Sequence, residues 1–325
     1  MSIMATKSLR PGDLVEVKTP SEILQTLDSE GSLNELPFMP EMVSYCGRRF
    51  RVAKRMVKTC CYIDGGTNMR AFRVEDVLTL EGVRCSGDAH DFCPKRCMVF
   101  WRDAWLRKVQ TDEVPSKCDS DGRTQLKTHL KTMSETGNYF CQASQILNVT
   151  RPLRRWERLV KCLSEVRTGN CTTLQMIGRV ATWIFWKIRR LLVGKYARGT
   201  NRSTPSVDLS LQSGDWVEVQ PMEGIRKTLN SKAQNRGLCF TPDMRLLCGT
   251  RQRVERKLDK IIVDGTGEVR LMSNTVFLEG SHCGCSHVAF GGCPRDEYTY
   301  WREIWLRRSA ASQAPAPRDT ARSKP

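Results

Sequence analysis

Cysteine and histidine are the residues best able to do chemistry in this chain, with 15 and 4 of them in 325 residues. Several recur in register between the two halves. Cys46, Cys85 and Cys93 in the first half correspond to Cys248, Cys283 and Cys293 in the second. A fourth donor stands close by each time: His90 or Cys97 in the first half, His287, His282 or Cys285 in the second. Four clustered nitrogen and sulfur donors satisfy a closed tetrahedral zinc site, and histidine is the fourth donor common to both halves. The expected metal ligands are therefore Cys46, Cys85, His90, Cys93 and Cys97 around one zinc, and Cys248, Cys283, Cys285, His287 and Cys293 around another. Neither half contains a CxxC pair, so the spacing permits metal without demanding it. Two other readings stay open. Cys46 and Cys248 each precede a glycine and suit small buried apolar positions, while Cys60-Cys61 or Cys283-x-Cys285 could form a redox pair. Cys118, Cys141, Cys162, Cys171 and Cys239 have no repeat partner.

Enzyme signatures are sparse. No GxxxxGK[ST], GxGxxG, HExxH or GxSxG motif occurs. A cysteine nucleophile would need a base, and only His90, His129, His282 or His287 could serve. Asp13 and Glu16 recur as Asp215 and Glu218, a pattern that solvated strand faces share with acid–base pairs.

The elements that must position these side chains come from an internal repeat. Gly12-Asp13-Leu14-Val15-Glu16-Val17 returns as Gly214-Asp215-Trp216-Val217-Glu218-Val219. Pro40-Glu41-Met42 returns as Pro242-Asp243-Met244, and Leu80-Glu81-Gly82 as Leu278-Glu279-Gly280. Trp101-Arg102-Asp103-Ala104-Trp105-Leu106-Arg107 closes the first copy, and Trp301-Arg302-Glu303-Ile304-Trp305-Leu306-Arg307 the second. Alternating Val15 and Val17 predict a half-buried opening strand, and Asp264-Gly265-Thr266-Gly267 predicts a hairpin. Five or six short strands per copy predict a mainly β protein with an α insert: two small SH3-like barrels, or α+β units with a helix at 98–108. The paired tryptophans, kept in both copies, fit a core better than base stacking.

The expected layout is a first module at 1–110, a linker at 111–141, a basic helical hairpin at 142–196, a linker at 197–211, a second module at 212–308 and a disordered tail at 309–325. Residues 151–200 hold 12 Lys and Arg and 2 acidic residues. Ile177, Val180, Ala181, Ile184, Ile188, Leu191 and Leu192 fall on one helical face. That face either packs on Leu159, Val160 and Leu163 of the preceding helix or lies on an anionic membrane. The membrane or anion contacts expected in that second case are Arg179, Trp183, Trp186, Lys187, Arg189 and Arg190.

Composition narrows the classes further. The chain is 40% apolar, 27% charged and carries 52 Lys and Arg against 35 Asp and Glu, a formal +17. It is too apolar for disorder and has no membrane-spanning run. No secretory signal opens it, so the cysteines are expected in a reducing, cytoplasmic setting, with membrane association open. The order GDxVxV, Cys-Gly, Leu-Glu-Gly, Cys, Cys-Pro and Trp-Arg-x-x-Trp-Leu resembles a bacterial family of duplicated Cys-rich modules; the resemblance implies no activity and no assigned site. The opening and hairpin also resemble SH3-like barrels of the KOW and nitrile-hydratase β-subunit kind, which implies the barrel architecture alone. The expected function is a non-catalytic zinc-binding scaffold or adaptor meeting an acidic membrane surface or acidic protein partner. A nucleic-acid-binding regulator is the alternative and a Cys-dependent enzyme the third; no small-molecule substrate is implied.

Overall fold

Gly12 and Gly214 sit at φ of 86° and 93°, a turn that glycine makes without strain, and each delivers the chain into the opening strand of its half. The computed structural model describes residues 8–63, 66–114, 116 and 120–309. The first half contains β1 (Leu14–Val17), α1 (Pro20–Leu24), β2 (Arg49–Arg55), β3 (Thr59–Ile63), β4 (Gly66–Phe72), β5 (Val77–Leu80), β6 (Trp101–Arg102) and β7 (Leu106–Lys108). The insert supplies α2 (Ser120–His129), α3 (Ile146–Val149), β8 (Thr150–Pro152), α4 (Glu157–Arg167) and α5 (Thr173–Val193). The second half contains β9 (Trp216–Val219), α6 (Met222–Arg226), β10 (Arg251–Ile262), β11 (Val269–Leu278), β12 (Trp301–Arg302) and β13 (Leu306–Arg308).

The protein is mainly β, with five small antiparallel sheets among the described residues. Each half has a five-stranded sheet of the same order, β6-β5-β2-β1-β7 and β12-β11-β10-β9-β13. Equivalent residues hold equivalent places: Val17 faces Leu106 and Val219 faces Leu306, while Leu78 faces Trp101 and Val276 faces Trp301. A register shift follows Val52 in one sheet and Val254 in the other. The inward valines pack on the paired tryptophans, all four of them fully buried. Phe38 meets Trp105 edge-on at 5.1 Å, as Phe240 meets Trp305 at 5.4 Å. Each second indole N–H donates to a threonine, Thr26 or Thr228, at 3.0 Å. The Trp-Arg-x-x-Trp segments are therefore core, formed as strand, 3-10 turn and strand rather than as a helix at 98–108.

Neither half is a closed barrel. Its edge strands are two and three residues long and are chain neighbours joined by one 3-10 turn, which moves the chain from one sheet edge to the other without a ladder between them. The two halves also differ. In the second, β10 and β11 run on as one long hairpin, closed by a turn in which Gly265 and Gly267 have positive φ. In the first, the equivalent hairpin breaks away as β3 and β4 and gains β8 from the insert, with Thr150 opposite Phe72.

The insert departs from a simple helical hairpin in three ways. The expected linker 111–141 contains α2, whose Leu126 is fully buried. The expected hairpin 142–196 begins with α3 and β8 before its two longer helices. Those helices do not bury their apolar faces against each other, since Leu159, Val160, Leu163, Ile177, Ile184 and Ile188 are all exposed. Residues 197–211 are irregular but anchored by buried Ala197 and Leu211. The expected tail, beyond Ser309, lies outside the described residues.

Candidate metal centre

Each half carries a Cys-rich loop between its third sheet strand and its Trp-Arg closing segment. The loops are pinned at matching points: Cys85 N–H donates to Cys97 O at 2.9 Å, and Cys283 N–H to Glu297 O at 2.7 Å. The predicted histidine ligands pin the loops to the body as well. His90 Nδ1 lies 2.6 Å from Glu41, and its Nε2 3.1 Å from Phe140 O, so both ring nitrogens face acceptors. His287 Nδ1 faces Asp243, the residue equivalent to Glu41, at 3.6 Å. Burial opposes charge on Glu41 and Asp243, yet the His90 hydrogen bond holds the Glu41 carboxyl below its ordinary range, and the nearby His287 and the Ser286 hydroxyl do the same for Asp243.

The long hairpins cross between halves. β3 reaches the second half's loop, where Lys58 Nζ donates to Phe290 O at 2.9 Å and Arg295 donates to Cys60 O at 2.7 Å. The tip of the β10–β11 hairpin reaches the first half's loop: Lys260 pairs with Asp91 at 2.5 Å, and Ile262 enters the first core. Beneath both crossings Asp264 accepts from Lys95 at 2.5 Å and from Arg295 at 2.8 Å. Burial opposes the Asp264 charge, and these two equivalent cations hold its carboxyl well below the ordinary range.

The crossing of β3 gathers the thiols. The sulfurs of Cys60, Cys285 and Cys293 lie within 4.8 Å of one another, the group among the described residues whose donors could share a metal ion. Tetrahedral thiolate coordination places sulfurs about 3.8 Å apart, given metal–sulfur bonds near ~2.3 Å. Cys283 Sγ, 3.3 Å from Cys285 Sγ, stands beside the triad as a fourth thiol. Hydrogen bonds from Cys285 and Cys60 push the Cys293 thiol well below its ordinary pKa, with help from the backbone at Arg295 and the Lys58 charge. A thiolate is the form that ligates metal. The Cys285 thiol is raised, first by its hydrogen bond with Cys283. At Cys60 the bond with Cys285 lowers the thiol, but the Cys293 contact and burial outweigh it and leave it raised.

The structure thus brings together Cys285 and Cys293 of the expected second set, with Cys283 adjoining, and adds Cys60 from the other half. His287 and Cys248 stand apart: His287 is on Asp243, and Cys248 packs against the second core. In the first half, Cys46 is buried core, while Cys85, Cys93 and Cys97 pack against that core around His90 and Cys141. Burial raises the thiols of Cys85 and Cys97 well above their ordinary pKa. Cys60 was legible only as a possible redox partner of Cys61. Neighbouring strand residues point to opposite faces: Cys61 turns inward toward Asn68 O, leaving Cys60 for the crossing loop. Cys162 also reaches this loop, its thiol 3.7 Å from Phe290 O.

The predicted α5 contacts divide between protein and solvent. Trp183 meets Phe290 of the thiol loop edge-on at 5.1 Å, and Trp186 meets Tyr196 at 5.1 Å, so both tryptophans anchor the helix to the body. Lys187 lies over the Trp183 ring and Arg189 over those of Trp186 and Tyr196. Arg179 and Arg190 are exposed. No helix among the described residues is long and apolar enough to cross a membrane. No family model, curated protein or solved structure matches the chain.

Proposed function

We propose that the protein is a non-catalytic adaptor whose two halves are joined by a zinc–thiolate centre. The observation that carries this reading is the convergence of Cys60 from the first half with Cys285 and Cys293 from the second. A metal held by both halves fixes their relative placement, which is a scaffold's requirement. Soft thiolates select zinc over the hard cations, and Cys283, beside Cys285, is the candidate fourth sulfur. His90 and His287 are engaged by carboxylates and lie outside the thiol group, which favours a structural role over Cys–His nucleophilic chemistry. The strand order, with its two edge strands joined by a 3-10 turn, supports reading each half as an SH3-like module. On this reading the chain works in a reducing cytoplasm, where thiols stay free for metal.

Metal analysis of the full chain, purified under reducing, metal-replete conditions, tests the proposal. One zinc per chain is expected. It should be lost in Cys60→Ser, Cys285→Ser and Cys293→Ser and kept in Cys85→Ser and Cys93→Ser. Metal-free wild-type protein, or a zinc content indifferent to Cys60→Ser, would overturn it.

A further inference from the structure

An amphipathic helix on a protein surface normally turns its apolar stripe to the core. Helix α4 does the reverse. Trp156, at its N-cap, and Leu159, Val160 and Leu163 follow helical spacing along one face, and their exposures are 62%, 63%, 46% and 60%. Its inward face is largely polar: Glu157 pairs with Arg151, Lys161 with Glu75, and Glu165 accepts from Asn170, beside the buried Cys162. Helix α5 repeats the inversion. It docks through Met176, Val180, Trp183 and Trp186, and leaves Ile177, Ile184, Ile188 and Leu191 in solvent, the last at 85% exposure. Half of the large apolar side chains left exposed among the described residues lie in these two helices, with Trp156 at the α4 N-cap beside them. A concentration of that kind marks an interaction surface.

The charge around it selects the occupant. Arg154, Arg155, Arg158 and Arg167 are exposed about α4, and Lys187 and Arg190 about α5. The two acidic residues of the segment, Glu157 and Glu165, are buried and bonded, so the exposed charge of both helices is wholly positive. Wide apolar faces rimmed by cations and carrying an exposed tryptophan match an anionic lipid surface, in which such helices lie flat.

We infer that α4 and α5 form a platform that seats the protein on anionic membranes, apolar side chains in the headgroup boundary and arginines on lipid phosphates. This names the partner of the adaptor proposed above. It rests on that reading only for the adaptor role, because none of its apolar or cationic contacts is a proposed metal ligand.

Co-sedimentation of the full chain with phosphatidylcholine vesicles, with and without phosphatidylserine, tests the inference. Binding is expected to the anionic vesicles alone and to weaken with salt. With each surface cation worth about 1 kcal/mol, Arg154→Gln/Arg155→Gln/Arg158→Gln should weaken it about a hundredfold. Leu159→Glu/Leu163→Glu should abolish it. Both variants change exposed side chains, and circular dichroism and bound zinc in the same preparations should match wild type. Equal binding to neutral vesicles, or none to anionic ones, overturns the inference. So does a dimer in light scattering that Leu159→Glu/Leu163→Glu dissolves, which would make a second copy the occupant. Salt-sensitive RNA binding without lipid binding would assign the cations to nucleic acid and overturn it too. Loss of zinc with lipid binding intact would count against the metal centre alone.

Discussion

The two halves share a core but differ at the place where each reaches into the other. In the first-to-second crossing, β3 carries Cys60 into a loop that supplies Cys285 and Cys293. In the opposite crossing the position corresponding to Cys60 is Ile262, which enters the first core, while Lys260, the counterpart of Lys58, pairs with Asp91, and the loop it meets keeps its cysteines against the core. The loops differ to match: Cys285 stands where the first loop turns through Gly87, and Glu297 stands where the first loop has Cys97. The two matching sheets thus share their core packing and differ in what the crossing hairpins meet, a thiol cluster in one direction and a core contact with an ion pair in the other. Packing against a sheet tolerates little change in volume.

If the cores are equivalent, breaking them should cost the same in either half. Trp105→Ala and Trp305→Ala are each expected to destabilise by about 3–5 kcal/mol, the usual range for a buried large aromatic, read from urea unfolding. A cost below about 1 kcal/mol at one of the two sites would show that only one half carries the fold. The buried and the exposed ion pairs at the crossings should behave unequally. Asp264→Asn leaves Lys95 buried without its counter-charge and Arg295 with Glu297 alone, and should cost about 3–5 kcal/mol. Asp91→Asn removes a half-exposed partner of Lys260 and should cost less than about 1 kcal/mol. Similar costs would mean that the two contacts are alike and the contrast between them is only geometric.

The sequence carried the shared part of this comparison and hid the part that differs. Val15, Val17, Trp101 and Trp105 announce their strands and core because each has a counterpart, and repetition in register is hard to produce except by a repeated fold. The thiol group has no such signal. Cys60 is followed in the sequence by Cys61 and separated from Cys285 by more than half the chain, and only the crossing of β3 joins them. The equivalence that exposed Cys93 and Cys293 also misled, since it implied one site per half. Pro40-Glu41-Met42 and Pro242-Asp243-Met244 were visible as repeats, but their acids found the histidines only through the fold. The inversion of α4 was hidden for another reason: helical spacing identifies an apolar face without saying whether the core or the solvent receives it.

The acid–histidine pins offer the finest comparison, because they repeat in both halves with different closeness. Glu41 approaches His90 to 2.6 Å, while Asp243 stands 3.6 Å from His287. Both carboxyls are held below their ordinary values of 4.5 and 3.8. The unfolded chain therefore binds protons first as the pH falls, and the stability each pin contributes is complete above those values and lost as pH drops through the folded one. Thermal midpoints measured downward from neutral pH should decline below about pH 4.5, the ordinary glutamate range. Glu41→Gln should lower the neutral midpoint and flatten that decline, and Asp243→Asn should do the same to a smaller degree, in keeping with its longer contact. An acid limb that keeps its slope in Glu41→Gln would place the pH sensitivity in other carboxylates, with Asp264 the first to test, and would leave the two pins as matters of packing alone.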